Sequence, residues 1–77
     1  MEKRIGYLQM DESGRYEVRD QLDNYMTYFT SGDAMELYLN GAWHKGRVEF
    51  SKKYGGYYFL DENDKPECLY NGYEVRV

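Results

Sequence analysis

Residues 31–60, SGDAMELYLNGAWHKGRVEFSKKYGGYYFL, decide the fold of this 77-residue chain. Near their centre lies Asn40-Gly41, a dipeptide that tolerates positive φ at both central positions of a tight type I′ turn. A reversal there keeps apolar side chains in register on both sides, and a slip of one residue would move them to the other face. The predicted cross-strand pairs are Leu39 with Ala42, Tyr38 with Trp43, Leu37 with His44, Glu36 with Lys45 and Met35 with Gly46.

The alternation of side chains along a strand divides this hairpin into two faces. The apolar face is assigned Met35, Leu37, Leu39, Ala42, His44, Val48 and Phe50. The amphipathic face is assigned Glu36, Tyr38, Trp43, Lys45, Arg47 and Glu49. Gly46 lies within the second strand and predicts a bulge or a sharp bend, the device by which small sheets curl.

The rest of the chain also alternates with the period of a strand. Further strands are predicted over residues 4–10, 15–20, 26–29, 54–60 and 73–77, with a polar turn at 11–14 and a charge-rich loop at 61–67. No segment of ten residues keeps a helical period. The sequence therefore predicts an all-β fold, either a small SH3-like barrel or a strongly curled antiparallel meander of five to six short strands. An OB-type barrel is the alternative, although it normally carries a helix for which this sequence has no candidate.

Length and composition limit what such a chain can do. We expect residues 1–77 to form one domain with a small core, because a chain of this size buries only about 60% of its unfolded surface. This leaves little room for a substrate cavity. The net charge of −4 disfavours non-specific binding to nucleic acid and to anionic membranes. Ten tyrosines instead supply rings with polar tips that can lie half-buried on a sheet.

The residues that usually carry chemistry are few. Cys68 is the only cysteine and no hydrophobic run opens the chain, which predicts a reducing, cytoplasmic location and a small buried thiol. His44, the only histidine, falls on the apolar face rather than beside a nucleophile. Asp61-x-Asn63-Asp64 lacks the glycine and glutamate of a calcium loop. We therefore expect no enzyme activity, no cofactor and no metal.

Five short motifs along the chain carry a resemblance. They are GRY at 14–16, SGD at 31–33, G-x-W-x-x-GRVE at 41–49, GYY at 56–58 and VRV at 75–77. Together they resemble an uncharacterised family of short bacterial and mobile-element proteins, and the resemblance implies a compact β-module without catalytic residues. More loosely, Gly32-Asp33 before one strand and Trp43 on the next resemble Tudor-type and other SH3-like modules.

The aromatic surface predicts the function. Tyr38 and Trp43 should stand side by side across the hairpin, either exposed or covered by the N-terminal hairpin. Exposed Trp, Tyr and Arg dominate interface energetics, which favours a non-catalytic protein- or peptide-binding module. The predicted partner-binding residues are Tyr38, Trp43, Lys45, Arg47, Tyr57 and Tyr58.

Other interpretations of the same surface remain open. The chain could be a small acidic inhibitor that occupies the nucleic-acid channel of a host defence enzyme, although its fourteen acids are scattered. It could also bind single strands weakly by stacking bases on tyrosines near Lys45, Arg47, Lys52 and Lys53. A free edge strand would in addition allow a homodimer.

Overall fold

The computed structural model describes residues 3–77, which form a single antiparallel β-sheet. Its eight strands are β1 (Ile5–Met10), β2 (Tyr16–Arg19), β3 (Tyr25–Tyr28), β4 (Ala34–Leu39), β5 (Ala42–Ser51), β6 (Gly56–Asp61), β7 (Pro66–Cys68) and β8 (Glu74–Arg76). The only helical element in this part of the chain is one 3₁₀ turn at Lys52–Tyr54. None of the described helices is long and apolar enough to cross a membrane.

The sheet consists of two sequential meanders joined by the last strand. Its order is β3-β2-β1-β8-β4-β5-β6-β7, so β8 lies between β1 and β4. β3 and β7 remain as edges, and the sheet is curled rather than closed. The all-β prediction and the curled meander are confirmed, but with eight strands instead of five or six. The strand that was not foreseen is β7, which begins within the predicted charge-rich loop, whereas β8 corresponds to the strand predicted at 73–77.

The central hairpin has the predicted register. All five predicted pairs between β4 and β5 are present, from Leu39 with Ala42 to Met35 with Gly46. Asn40 and Gly41 both have positive φ, at 53° and 81°, as a type I′ turn requires. Because residues opposite each other in the sheet share a face, this register fixes which side chains of β4 and β5 face the core.

Three other hairpin turns repeat one device that begins with an aspartate. Asp11, Asp20 and Asp61 each accept hydrogen bonds from the backbone N–H groups two and four residues later, at 2.8–3.1 Å. The fourth residue of each turn has positive φ. This is the geometry of a type I turn followed by a left-handed residue, in which the carboxylate replaces missing backbone partners. The Asp61 carboxylate is thus engaged in holding its own turn.

The core lies on the inner face of the curled sheet. Its buried apolar residues are Leu8, Tyr16, Val18, Phe29, Met35, Leu37, Val48, Phe59, Leu69 and Val75. Tyr16 donates its hydroxyl hydrogen bond to the carbonyl oxygen of Leu69 at 2.8 Å, so β2 is tied to the segment after β7 on the other side of the core. Burial raises the pKa of Tyr16 above its ordinary value.

Gly46 marks a close approach between neighbouring strands of the sheet. The register of β5 with β4 and with β6 continues through Gly46 without a shift, so the predicted bulge is absent. A Cβ at this position would lie 2.3 Å from the carbonyl oxygen of Leu60 and 2.7 Å from the Phe59 ring. Glycine is therefore required because the backbone of β6 and the Phe59 ring lie too close for a Cβ.

Two side chains that the sequence assigned to the interior are exposed. Phe50 has the parity of the apolar face, but 54% of its surface is accessible because it lies at the end of β5, beyond the curl, against Tyr57. Cys68 is exposed on the edge strand β7, so the prediction of a small buried thiol is wrong. In both cases the side chain lies where the sheet has no further layer to cover it.

Candidate functional site

The outer face of the sheet, opposite the core, carries the candidate site. It is centred on Tyr38 of β4, Trp43 of β5 and Arg76 of β8, together with Glu36 beneath them. We call these four residues the Trp43 cluster. In register, Glu36 lies opposite Lys45 on one side and opposite Arg76 on the other, while Tyr38 lies opposite Trp43. The cluster therefore spans three neighbouring strands, and two of them come from the central hairpin.

Glu36 is the electrostatic centre of this cluster. It is 6% exposed, the only buried charged residue among residues 3–77. Its carboxylate accepts a hydrogen bond from the Arg76 Nε at 2.6 Å and another from the Lys3 ammonium. Hydrogen bonding to Lys3, and then to Arg76, holds the pKa of Glu36 below its ordinary value even though burial acts in the opposite direction.

The aromatic part of the cluster is fixed by two contacts. The Tyr38 and Trp43 rings meet edge to face, with their centroids 5.1 Å apart at an angle of 64°. The Arg76 guanidinium reaches across β4 and lies 4.1 Å from the Trp43 ring centroid, within the range of a cation–π contact. Glu36 fixes the same guanidinium through its Nε. The Trp43 ring is therefore held by Tyr38 and by Arg76. The indole is consequently ordered before any partner arrives.

The cluster remains accessible from outside. Tyr38 is 41% exposed and Trp43 is half-buried. The N-terminal hairpin of β1 and β2 does not cover it, because β1 lies beside β8 in the same sheet. What covers part of the indole is the Arg76 side chain. Of the two arrangements left open by the sequence, the structure has the exposed one.

The structure divides the six sequence-predicted site residues between the two faces. Lys45 shares the outer face with Tyr38 and Trp43, and it is exposed. Arg47 is also exposed there, with its Nε donating to Glu49 at 2.7 Å. Tyr58 is opposite Glu49 on the same face, with its ring 4.5 Å from that of Tyr54.

Tyr57 lies on the inner face. It is the neighbour of Tyr58 on β6 and its ring stacks edge to face on Phe50, with centroids 5.1 Å apart. It therefore does not extend the Trp43 cluster. The residues that sequence reasoning missed are Arg76 and Lys3, because their contribution depends on β8 lying next to β4. The sequence held one usable indication. Glu36 and Arg76 carry opposite charges, and each lies on the polar side of its own alternating strand.

Several other charged groups within residues 3–77 are engaged with partners. Arg19 pairs with Glu17 at 2.7 Å, and Arg47 pairs with Glu49. The Asp11, Asp20 and Asp61 carboxylates hold their turns. No three metal-ligating side chains come together within residues 3–77. His44 lies with its Nε2 3.3 Å from the Leu39 carbonyl oxygen, so its ring is engaged with the hairpin backbone.

Acid should weaken the fold through Glu36. A carboxyl group whose pKa is lower in the folded state contributes stability that is fully present above its unfolded pKa and disappears as the pH falls through the folded value. We expect Glu36→Gln to lower the free energy of unfolding by a constant amount at neutral pH. The difference from wild type should shrink once the pH drops below the ordinary value of 4.5. Denaturant titrations across this range, with the exposed Glu62→Gln as control, would measure it. A difference that persists unchanged at the acid end would contradict this role of Glu36.

Comparison with known families places the chain in a defined group. Residues 6–77 match the family model described as Domain of unknown function (DUF5348). Because the match covers nearly the whole chain, including β1, the protein belongs to this family. No curated protein and no solved structure matches the chain. The membership confirms the predicted family of domains of unknown function.

Proposed function

We propose that this domain is a non-catalytic module that binds a protein or peptide through the Trp43 cluster. The observation that carries the proposal is a half-buried indole held between a tyrosine ring and an ion-paired guanidinium, on a face that no other part of residues 3–77 covers. Trp, Tyr and Arg are the residue types most enriched among interface hot spots. A cluster of all three at one place is the arrangement that such interfaces use.

Preorganisation strengthens the proposal. Binding loses free energy when flexible side chains are ordered, about 0.5–1.5 kcal/mol for each one immobilised. Trp43 and Arg76 already hold one another, and Glu36 holds Arg76, so little of this cost remains. Lys45, Arg47 and Tyr58 lie on the same face and would surround the anchor.

The two alternative functions receive less support. An acidic inhibitor that mimics nucleic acid would need a massed negative surface, whereas several carboxylates here are engaged in turns or paired with arginines. A single-strand binder would need free cations along a groove. Of the four cations that the sequence assigned to this function, Arg47 is paired with Glu49, and Lys45 is separated from Lys52 and Lys53 by the length of β5. Displacement of a partner by DNA, with strong salt sensitivity, would favour the inhibitor, and a gel shift at low salt would favour the strand binder.

The finer features of the proposal come from the sequence. We infer a cytoplasmic protein of bacterial or mobile-element origin, supported by the single thiol and by the resemblance of the five motifs. We also propose, from the sequence resemblance alone, that the domain is related to SH3-like modules. A homodimer through an edge strand would use β3, because β7 begins with Pro66, which lacks the N–H that a ladder needs.

The proposal predicts that Trp43 is the binding anchor. A library of displayed random peptides would be selected against the domain, and binding of the selected peptides would be followed by the fluorescence of Trp43, the only tryptophan in the chain. We expect Trp43→Ala, measured by calorimetry, to weaken binding by about thirtyfold, equivalent to about 2 kcal/mol, as for a hot-spot residue.

The matched control is Tyr25→Ala, which removes a 55% exposed ring on the edge strand β3. This variant should bind like the wild type, and circular dichroism would establish that both variants are folded. Equal affinity of folded Trp43→Ala and wild type would overturn the proposed anchor.

A further inference from the structure

A shallow depression beside the Trp43 cluster is lined by several cations. Its volume is about 350 Å³, and it lies where β8, β4 and β5 run side by side. The residues that form it include Lys3, Glu36, Lys45, Gly46, Arg76 and Val77. Three of these side chains are cationic, and one is a carboxylate. This is a local excess of positive charge in a chain whose net charge is −4.

Glu36 does not satisfy all of this positive charge. It accepts hydrogen bonds from Lys3 and Arg76, but Lys45, opposite it across the hairpin, forms no ion pair within residues 3–77. The neighbouring carboxylate just after β6 is Glu62, whose backbone N–H donates to the Lys45 carbonyl oxygen at 3.1 Å, but the Glu62 and Lys45 side chains do not form an ion pair. The depression therefore presents Lys45 and the two partly neutralised cations to the solvent.

The contacts of Arg76 determine which edge of its guanidinium is available to a ligand. Its Nε is engaged with Glu36, and its Cζ lies over the Trp43 ring, 4.1 Å from the ring centroid. Its two terminal nitrogens donate no hydrogen bond to any residue from 3 to 77. A guanidinium held by its Nε and by one face presents this terminal edge as a fork, whose spacing matches the two oxygens of a carboxylate.

We propose that the partner is a peptide segment carrying an aspartate or glutamate next to a bulky apolar residue. The carboxylate lies in the depression against the free edge of Arg76 and near Lys45, while the apolar side chain packs on Tyr38 and Trp43. This inference rests on the proposed function and specifies the chemistry of the partner. Glu36 beneath the cations favours a singly charged carboxylate over a doubly charged phosphate, because the second charge would be repelled by that carboxylate.

Amide substitution in the bound peptide tests the inference. Peptides selected from the displayed library would be synthesised with each Asp or Glu replaced by Asn or Gln, and also with phosphoserine at the acidic position. We expect that replacing the carboxylate that contacts Arg76 by an amide weakens binding of the peptide about tenfold. The phosphoserine peptide should bind no more tightly than the acidic peptide. Raising the salt concentration should weaken the binding of the acidic peptide more than the binding of its amide form.

Variants of the domain test the same contact from the other side. Arg76→Lys keeps the charge but loses the fork and the flat contact with the indole, and we expect about tenfold weaker binding of the acidic peptide. Lys45→Gln should weaken it several-fold, whereas Lys52→Gln, at an exposed position beyond the other end of β5, should leave it unchanged. In a double-mutant cycle, Arg76→Lys and the peptide amide should lose affinity non-additively.

The outcomes separate this inference from the proposed function. If selected peptides need Trp43 but bind equally well as acids and amides, the proposed function stands and the carboxylate site is wrong. If phosphoserine binds more tightly than the acid, the site recognises phosphate and the inference is again wrong. If no peptide depends on Trp43, both fail. Unchanged thermal melting of Arg76→Lys would show that a loss of affinity is not a loss of fold.

Discussion

Replacing Gly46 with alanine is expected to destabilise the domain severely. The added Cβ would meet the Leu60 carbonyl oxygen at 2.3 Å and the Asp61 Cα at 2.8 Å, and both of these atoms belong to the backbone of β6. A flexible side chain could move aside, but a paired strand can move only by breaking its ladder. We expect the free energy of unfolding to fall by about 3 kcal/mol. That is a large part of the about 4–12 kcal/mol expected for a domain of this size.

A matched glycine separates steric conflict from backbone strain. Gly14 has a φ of 91°, but a Cβ there would meet nothing within 4 Å. Gly14→Ala should therefore cost only the left-handed penalty, about 1–2 kcal/mol. Urea titrations of both variants would compare them. The curled approach of β6 would be contradicted if Gly46→Ala proved no more destabilising than Gly14→Ala.

The second large effect is expected at Phe59, the largest fully buried side chain. Phe59→Ala would open a cavity beneath Val48 and should lower the free energy of unfolding by about 3–5 kcal/mol. Such a loss could leave the variant partly unfolded at 37 °C. Thermal and urea unfolding followed by circular dichroism would measure it.

Phe50 provides the control for Phe59, since both rings face the same side of the sheet. Phe50 is 54% exposed and its main contact is the edge-to-face pair with Tyr57. Phe50→Ala should therefore cost only about 1 kcal/mol, the typical value of such a pair. Equal losses for the two phenylalanines would show that Phe50 is buried in solution and that the sheet curls over the end of β5.

The central hairpin could be predicted because all of its information is local. Asn40-Gly41 fixes the turn, and the alternation of Met35, Leu37 and Leu39 permits only one register. The side chains of Tyr38 and Trp43 then face each other, whatever the rest of the chain does. The aromatic half of the candidate site therefore followed directly from the sequence.

The other half depended on strand order, which local patterns do not contain. The position of β8 between β1 and β4 brings Arg76 to Trp43, although 33 positions separate them in the sequence. Parity alone also placed Phe50 inside, because alternation states which face a residue occupies but not whether another layer covers it. Gly46 was predicted to hold a bulge or a sharp bend, but the register continues through it, and the close approach that requires glycine depends on the position of β6.

Of the three aspartate turns, the sequence analysis predicted the one at 11–14 but not those at Asp20 and Asp61. Asp11, Asp20 and Asp61 each lie three residues before a position with positive φ, at Gly14, Asp23 and Asp64. Because two of these positions are Asp rather than Gly, a search for glycine turns does not find them. An aspartate directly after an alternating stretch would have been the usable signal, since its carboxylate can stand in for the missing backbone partner.

The place of β8 in the sheet also determines how the chain folds. Ile5 pairs with Arg76, so the ends of the described chain must meet across a loop of almost the full length before the two meanders become one sheet. Such a closure has a high entropic cost and gives a high contact order, which slows folding. Arg76 completes the surroundings of Trp43 in this same step. The recognition surface and the continuous sheet therefore arise together, and a half-folded molecule would have neither.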